Sequence, residues 1–339
     1  MKENNTAPTI DDIRECAKRI SPYVIETPVF EWSGDLLANY FGKDSRIHLK
    51  LELFQRTGTF KARAAINNVL ALDDSQRNTG ITAMSAGNHA IATAYAAKCL
   101  GVHAKVVMQA SANPARIDAA KTLGAEILMA KDGPTGFAMV EDIVKSEGRA
   151  FIHPFDGKRV SEATATCGLE LHHALPDLDA VVVAVGGGGL CSGLGTAIKL
   201  LNPGCKVYAV EPVGAAVMQA SLEAGSAQRI PEVNTIADSL GPPMTEAYPF
   251  ALCQRVIDEL VLVSDDELAA ACALLFDQLK LAVEPAGAAA TAAAFGPLRE
   301  KIAGRKVALI ACGSNMDAEG VSTLVSRGKQ ALARGVLAA

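Results

Sequence analysis

The feature that most constrains the fold is a repeated alternation. Short apolar runs recur along the chain: "RIHLKLELF" (46–54), "GITAM" (80–84), "AKVVM" (104–108), "AEILMA" (125–130), "AFIH" (150–153), "AVVVAV" (180–185), "KVYAVE" (206–211), "ELVLV" (259–263) and "KVALIAC" (306–312). Between most of them lies an Ala-rich segment of helical length. A continuous apolar run marks a strand buried on both faces, and strand–helix alternation implies right-handed crossovers between parallel neighbours. The fold class expected is therefore α/β, with open, mostly parallel twisted sheets flanked by helices. With 339 residues, half of them apolar, the chain is large enough to predict two domains rather than one. The stretch 224–250 is rich in Pro and Gly and reads as a long loop at the surface or over a site. The tail after residue 328 reads as frayed helix.

Charge and cysteine usage exclude several classes. Net charge is −5 and the basic residues are dispersed, so neither nucleic acid nor an anionic membrane is an expected partner. The longest apolar stretch, "LDAVVVAVGGGGL", is too short to span a bilayer. "MKENNTAPTIDDIREC" has no apolar core and does not read as a signal peptide. The eight cysteines are scattered without a C-x-x-C pair, as expected of reduced core thiols in a cytoplasmic protein.

Ligands of such sheets bind where strand ends lead into helix N-termini. Four junctions stand out. In "TGTFKARAA" (57–65), Lys61 falls in the first turn of a helix, where the macrodipole disfavours a cation. It is either a solvated surface lysine or a residue with a chemical task. In "MSAGNHAIATAYAAKCLG" (84–101), the small residues Ser85, Ala86 and Gly87, with Asn88 and His89, let backbone N–H groups converge on an anion such as a carboxylate. The alternative is an ordinary turn with a Ser or Asn cap. In "AVVVAVGGGGLCSGLGTAIKLL" (180–201), the run Gly186, Gly187, Gly188, Gly189 costs backbone entropy that close approach to a phosphate would justify. It is a poor dinucleotide fingerprint. Counting from Gly187 and Gly189 puts Ser192 in the third glycine slot, and counting from Gly186 and Gly188 puts Cys191 there. In "KVALIACGSNMDAEG" (306–320), Cys312 ends the last strand, where a thiol can face a ring nitrogen or simply fill the core.

Taken in this order, the four junctions resemble the fold-type-II (tryptophan-synthase-β-like) pyridoxal-phosphate enzymes, with the serine/threonine dehydratase–serine racemase group nearest. The resemblance spans residues 10–327. It implies a small domain, 54–153, inserted in a large cofactor-binding domain made of 1–53 and 154–339. It implies that Lys61 is the Schiff-base lysine, with Phe60 beside the cofactor ring and Asn88 on its 3′-oxygen. Gly186 to Gly189 and Leu190 would hold the phosphate, Cys312 would face the pyridine nitrogen, and Ser85 to His89 would hold the substrate carboxylate. A homodimer is expected on the same ground.

The implied reaction is removal of ammonia from a β-hydroxy amino acid, with freed, neutral Lys61 as the base for the α-proton. The first-turn position would help lower its pKa. A neutral Cys312 weakens the ring as an electron sink and favours elimination. Ala86 stands where the racemases of the group carry a proton-shuttling serine, which argues against a two-base racemase. A β-replacement enzyme would need a second nucleophile, and no residue selects one. A nicotinamide oxidoreductase would leave Lys61 without a role, and an inactive cofactor-binding protein would be expected to lack that lysine. The group's A-G-Q-G-T loop reads here as Glu162, Ala163, Thr164, Ala165 and Thr166. Glu162 is then either a solvated loop carboxylate or a contact to a polar substrate, which keeps 3-hydroxyaspartate, phenylserine and hydroxylated diamino acids open beside serine and threonine. Glu211 and the Ala215 carbonyl match a monovalent or divalent cation site of relatives, but Val217 replaces its second side-chain oxygen. Asp238 and Glu284 read as structural or cation-linked.

Overall fold

The computed structural model describes residues 6–85 and 87–337. Ten strands form two sheets. They are β1 (Val29–Trp32), β2 (Arg46–Lys50), β3 (Ile81–Met84), β4 (Ala104–Gln109), β5 (Glu126–Ala130), β6 (Ala150–Phe151), β7 (Ala180–Ala184), β8 (Lys206–Pro212), β9 (Glu259–Val263) and β10 (Lys306–Ile310). The larger sheet has the order β1-β2-β10-β7-β8-β9 and the smaller the order β5-β4-β3-β6. Every pairing is parallel except β1 with β2, where Val29 faces Lys50 and Trp32 faces Ile47. β1 escapes sequence reading because it is a four-residue edge strand with Phe30 and Glu31 exposed. It has no apolar run to announce it.

The central strand β7 is buried at every residue, as its unbroken "AVVVA" predicts. The helix Pro285–Phe295, "PAGAAATAAAF", is also buried throughout and packs on β7, β8, β9 and β10. Its small side chains let it lie close; a Cβ at Gly287 would come within 2.3 Å of the Gly313 carbonyl. Below the Lys61–Leu70 helix sits a buried ion cluster. Arg63 grips Glu52 through Nε and Nη2 (2.9 and 2.8 Å) and Glu170 through Nη1 and Nη2 (2.6 and 2.8 Å). Lys50 Nζ donates to Glu170 Oε2 at 2.6 Å. These forked contacts fix the roll of the helix that starts at Lys61.

Two expectations are corrected by the packing. The C-terminal tail is not frayed from residue 328: the helix Ala318–Ala333 packs along Asp265–Leu279, and Ala331 is buried. Gly328 makes that contact possible, since a Cβ there would meet the Ala269 carbonyl at 2.0 Å. All eight cysteines are free thiols and seven are buried, but Cys99 is exposed because its helix buries its alanines instead. No helix among the described residues is long and apolar enough to cross a membrane.

Candidate active site

Sheet order brings the distant junctions together. β2, β10 and β7 are consecutive neighbours, so the segments leaving their C-terminal ends run side by side. Leu53 N–H donates to the Ala311 carbonyl, Phe60 N–H to that of Cys312, and Ser314 N–H to that of Gly58. Thr59 and Gly313 form an antiparallel bridge. The lysine turn is thus stitched to the end of β10, and the glycine run follows β7 on the other side. The smaller sheet contributes Asn88 at the start of the Asn88–Leu100 helix, after β3.

The resulting cleft encloses about 490 Å³, its open mouth included. Phe60, Lys61, Asn88, Gly186 to Gly189, Leu190 and Cys312 all line it. Lys61 heads its helix, and its Nζ donates to the Pro154 carbonyl at 2.6 Å and lies 5.1 Å from the Phe60 ring centroid. Burial of the ammonium lowers its pKa from 10.5 to about 8, against the opposing influence of Cys312 and Glu284. Burial is the main cause. His89 and His153 flank it as neutral rings. Burial, with the Lys61 charge adding to it, pushes them down to about 3 and about 4. His89 Nε2 is bonded to the Ile152 carbonyl at 2.8 Å.

The glycine run is a cradle that side chains would fill. A Cβ on Gly187 would meet the Phe155 ring at 2.5 Å, one on Gly189 the Phe155 backbone at 2.8 Å, and one on Gly186 the Leu240 backbone at 3.2 Å. Gly188 adopts φ +96°, open to glycine at no steric cost. Loop carbonyls are tied inward: Thr245 Oγ1 donates to Gly187 O at 3.0 Å and Thr164 Oγ1 to Gly189 O at 2.7 Å. The first N–H groups of the Gly189–Leu201 helix have no intrahelical partner and open on the cleft, a ready anion site. The Cys312 thiol is buried, held neutral by burial, and donates to the Ala286 carbonyl at 3.3 Å. An amine of lowered pKa, a glycine-run N–H cradle and a neutral thiol in one cleft fit pyridoxal phosphate.

The carboxylate segment is partly placed. Ser85 Oγ accepts from Gly87 N–H at 3.1 Å, and Ser85 N–H donates to the Val107 carbonyl. Ala86 lies outside the described residues. Two expectations are not met. Glu162 is not on a loop and does not line the cleft. It sits within the helix Lys158–Ala174, paired with Arg19 at 3.6 Å and Lys158 at 3.7 Å. The helical register turns it toward the Ile10–Ile20 helix instead. Nor do Glu211 and Ala215 form an obvious cation site. Glu211 caps the helix Val217–Ala224, accepting N–H bonds from Met218 (2.7 Å) and Gln219 (2.8 Å), and burial raises its pKa to about 8. Each Glu211 oxygen is engaged by a backbone N–H, and Val217 adds no oxygen. Among the described residues no three His, Cys, Asp or Glu side chains converge as metal ligands.

Sequence reading missed Phe155, Ser239, Leu240 and Pro242, all on the cleft wall, and did not place Glu284 there. His153-Pro154-Phe155 follows the end of β6, so the strand-end rule applied there would have found it. Leu240 and Pro242 belong to the irregular 224–250 stretch, which lies over the site. Glu284 reads from sequence as structural or cation-linked, and an acidic residue before Pro285 looks like a helix start, so nothing local shows that it faces the cleft.

The fold and cleft together define a pyridoxal-phosphate enzyme built on parallel sheets. The sequence profile described as "Pyridoxal-phosphate dependent enzyme" matches residues 20–313. The chain is 48% identical over 316 residues to phenylserine dehydratase of Ralstonia pickettii, covering 93% of this chain and 96% of that one. It is 36% identical to L-threonine ammonia-lyase of Thermotoga maritima, over 94% of this chain and 79% of that one. The structure of maize serine racemase superposes with TM-score 0.88 at 32% identity, covering 97% of this chain and all of that one. The chain belongs to the pyridoxal-phosphate dependent enzyme family, in its fold-type-II serine/threonine dehydratase group, and is a lyase of the ammonia-lyase type.

Proposed function

We propose that the enzyme converts a β-hydroxy amino acid with an apolar, aryl β-substituent, of the phenylserine kind, to the 2-oxo acid and ammonium. The observation that carries the reaction class is the convergence of Lys61 Nζ, the glycine cradle and the neutral Cys312 in one cleft. The substrate class is supported by the 48% identity to a phenylserine dehydratase. Glu162, the one sequence-based reason to expect a polar substrate, is engaged with Arg19 and Lys158 elsewhere.

Pyridoxal phosphate, when bound, supplies the electron sink that makes the substrate α-proton acidic. The residues do the rest. The N–H groups of the glycine cradle hold the phosphate, and Asn88 orients the ring. Lys61 holds the cofactor covalently at rest and, once freed and neutral, takes the α-proton at Nζ. Its lowered pKa makes the neutral form accessible near pH 8. Cys312 puts a neutral thiol rather than a carboxylate on the cleft wall, so it would supply no charge to hold a proton on a ring nitrogen. The 85–89 turn receives the substrate carboxylate. The α-proton and the β-hydroxyl depart, water adds back, and ammonium leaves; the net change is loss of ammonia. Ala86 carries no proton-transfer group, which favours elimination over racemisation.

The inserted unit 54–153, a homodimer and a cytoplasmic location belong to the same proposal; the free thiols are in keeping with the last. A cation at Glu211 and Ala215 does not, because backbone N–H groups take that carboxylate. The test is a visible spectrum of the purified protein with added pyridoxal phosphate, then a panel of phenylserine, threonine, serine and 3-hydroxyaspartate scored for oxo acid. No visible band overturns the reaction class. A preference for 3-hydroxyaspartate overturns the apolar substituent.

A further inference from the structure

Five side chains close a ring, three of which, Asn88, Ser239 and Glu284, line the cleft. Arg116, on the helix Pro114–Thr122, and Asn88 come from the part of the chain that carries the smaller sheet. Asp238, Ser239 and Glu284 come from the part that carries the larger one. Arg116 Nη1 donates to Asp238, and Nη2 approaches Glu284 Oε2 at 3.4 Å. Glu284 Oε1 accepts from Asn88 Nδ2 at 2.7 Å. The same amide nitrogen donates to Ser239 Oγ at 3.0 Å, and Ser239 Oγ donates to Asp238 Oδ1 at 3.2 Å. A second loop reinforces the first: Arg116 Nε donates to the Asn315 carbonyl at 3.0 Å, and Asn315 Nδ2 to Asn88 Oδ1 at 2.8 Å. The guanidinium also roofs the 85–89 turn, since a Cβ on Gly87 would meet Nη1 at 2.8 Å.

This is not a surface ion pair, which would contribute little. The Arg116 side chain is 9% exposed and that of Glu284 2%, whereas that of Asp238 is 60% exposed. Separating the two sheet-bearing parts would break every contact of the ring except that of Ser239 with Asp238, and would leave a buried carboxylate short of its cation, which makes partial opening costly.

We propose that Arg116 is a positioning residue that latches the two sheet-bearing parts over the site and, through Glu284, fixes the amide of Asn88. The assignment of Asn88 to the cofactor rests on the function proposed above; the latch itself does not. Glu284 is faced by Arg116 and Asp238, by Lys61 from its helix, by Cys312 at the end of β10 and by Cys272 from the Asp265–Leu279 helix. Burial raises it to about 7; Arg116 pulls it down and Asp238 pushes it up.

The test uses R116Q, D238N and R116K, with R327Q as a control that removes an ion pair to Asp266 far from the ring. Hydrogen exchange of amides 85–89 and 236–240, with and without pyridoxal phosphate, reads the latch. The expected result is exchange about tenfold faster or more in R116Q and D238N, and unchanged in R327Q. D238N keeps the buried arginine, so it remains informative if R116Q folds poorly. The acid limb of kcat/KM reads the second half. It shifts up in R116Q and down in D238N, by about half a pH unit or more. It returns toward wild type in R116K, whose point charge restores the field but not the forked contacts. Unchanged exchange in R116Q and D238N overturns the latch, whether or not the protein forms a cofactor band. Limbs that do not move in opposite directions overturn the coupling through Glu284. Absence of a cofactor band in the wild type overturns the proposed function alone, and exchange then still decides the latch.

Discussion

The Nζ of Lys61 donates a 2.6 Å hydrogen bond to the carbonyl of Pro154, a residue 93 positions further along the chain. The bond holds the amine in the cleft between Phe60 and the glycine run, where burial lowers its pKa to about 8. A buried lysine of depressed pKa penalises its charged form fully below about 8. The penalty fades between about 8 and the ordinary value of 10.5, above which folded and unfolded forms are both neutral. Lys61→Met should therefore melt no lower than wild type at pH 6 in the cofactor-free protein, with any advantage vanishing above pH 10.5. It should also abolish the visible cofactor band. Melting curves and absorbance across pH check both; a lower melting temperature at pH 6 would show that the Pro154 bond outweighs desolvation.

The glycine run and Phe155 are one packing unit. Gly187→Ala should weaken cofactor binding by about tenfold or more, because its Cβ would enter the Phe155 ring at 2.5 Å. Phe155→Leu in the same chain should recover part of the loss. Equilibrium dialysis of the two single variants and the double variant measures the coupling.

Arg63 predicts a stability effect without a direct chemical one. It is fully buried between Glu52 and Glu170, and removing it strands Glu52 and leaves Glu170 with Lys50 alone. Arg63→Met should cost about 3–5 kcal/mol in denaturant unfolding, unless the carboxylates take up protons. Its loss should be smaller at pH 5 than at pH 8. Without Arg63 the main influence left on Glu52 is burial, which pushes its carboxyl up, so in the variant it takes up a proton as pH drops and the cost of its unpaired charge is relieved.

Glu211 caps a helix, and its oxygens face N–H groups. Exhaustive dialysis against a chelator should leave the melting temperature and turnover unchanged. Glu211→Ala should lower stability by about 1 kcal/mol or more through loss of the cap. A chelator-sensitive melting temperature, restored by added cation, would contradict this account.

Much of this molecule is legible in the sequence. The apolar runs give all strands but β1, because a strand buried on both faces needs side chains without charge. The entropy cost of four consecutive glycines, and a lysine at the positive end of a helix, mark two walls of the cleft from residue order alone. Those are local signals, carried by composition and spacing.

What the tertiary structure decided is non-local. Only the sheet order β2-β10-β7 brings residues 61, 312 and 186 together, and pairing order is not written in any one segment. Only packing distinguishes Glu162, turned away on its helix beside Arg19, from Glu284, turned into the cleft beside Asn88. Both are single glutamates next to apolar residues in the sequence. Their neighbours in space determine which one can act, because a carboxylate's charge state and hydrogen bonds depend on burial and on partners that the chain supplies from far away.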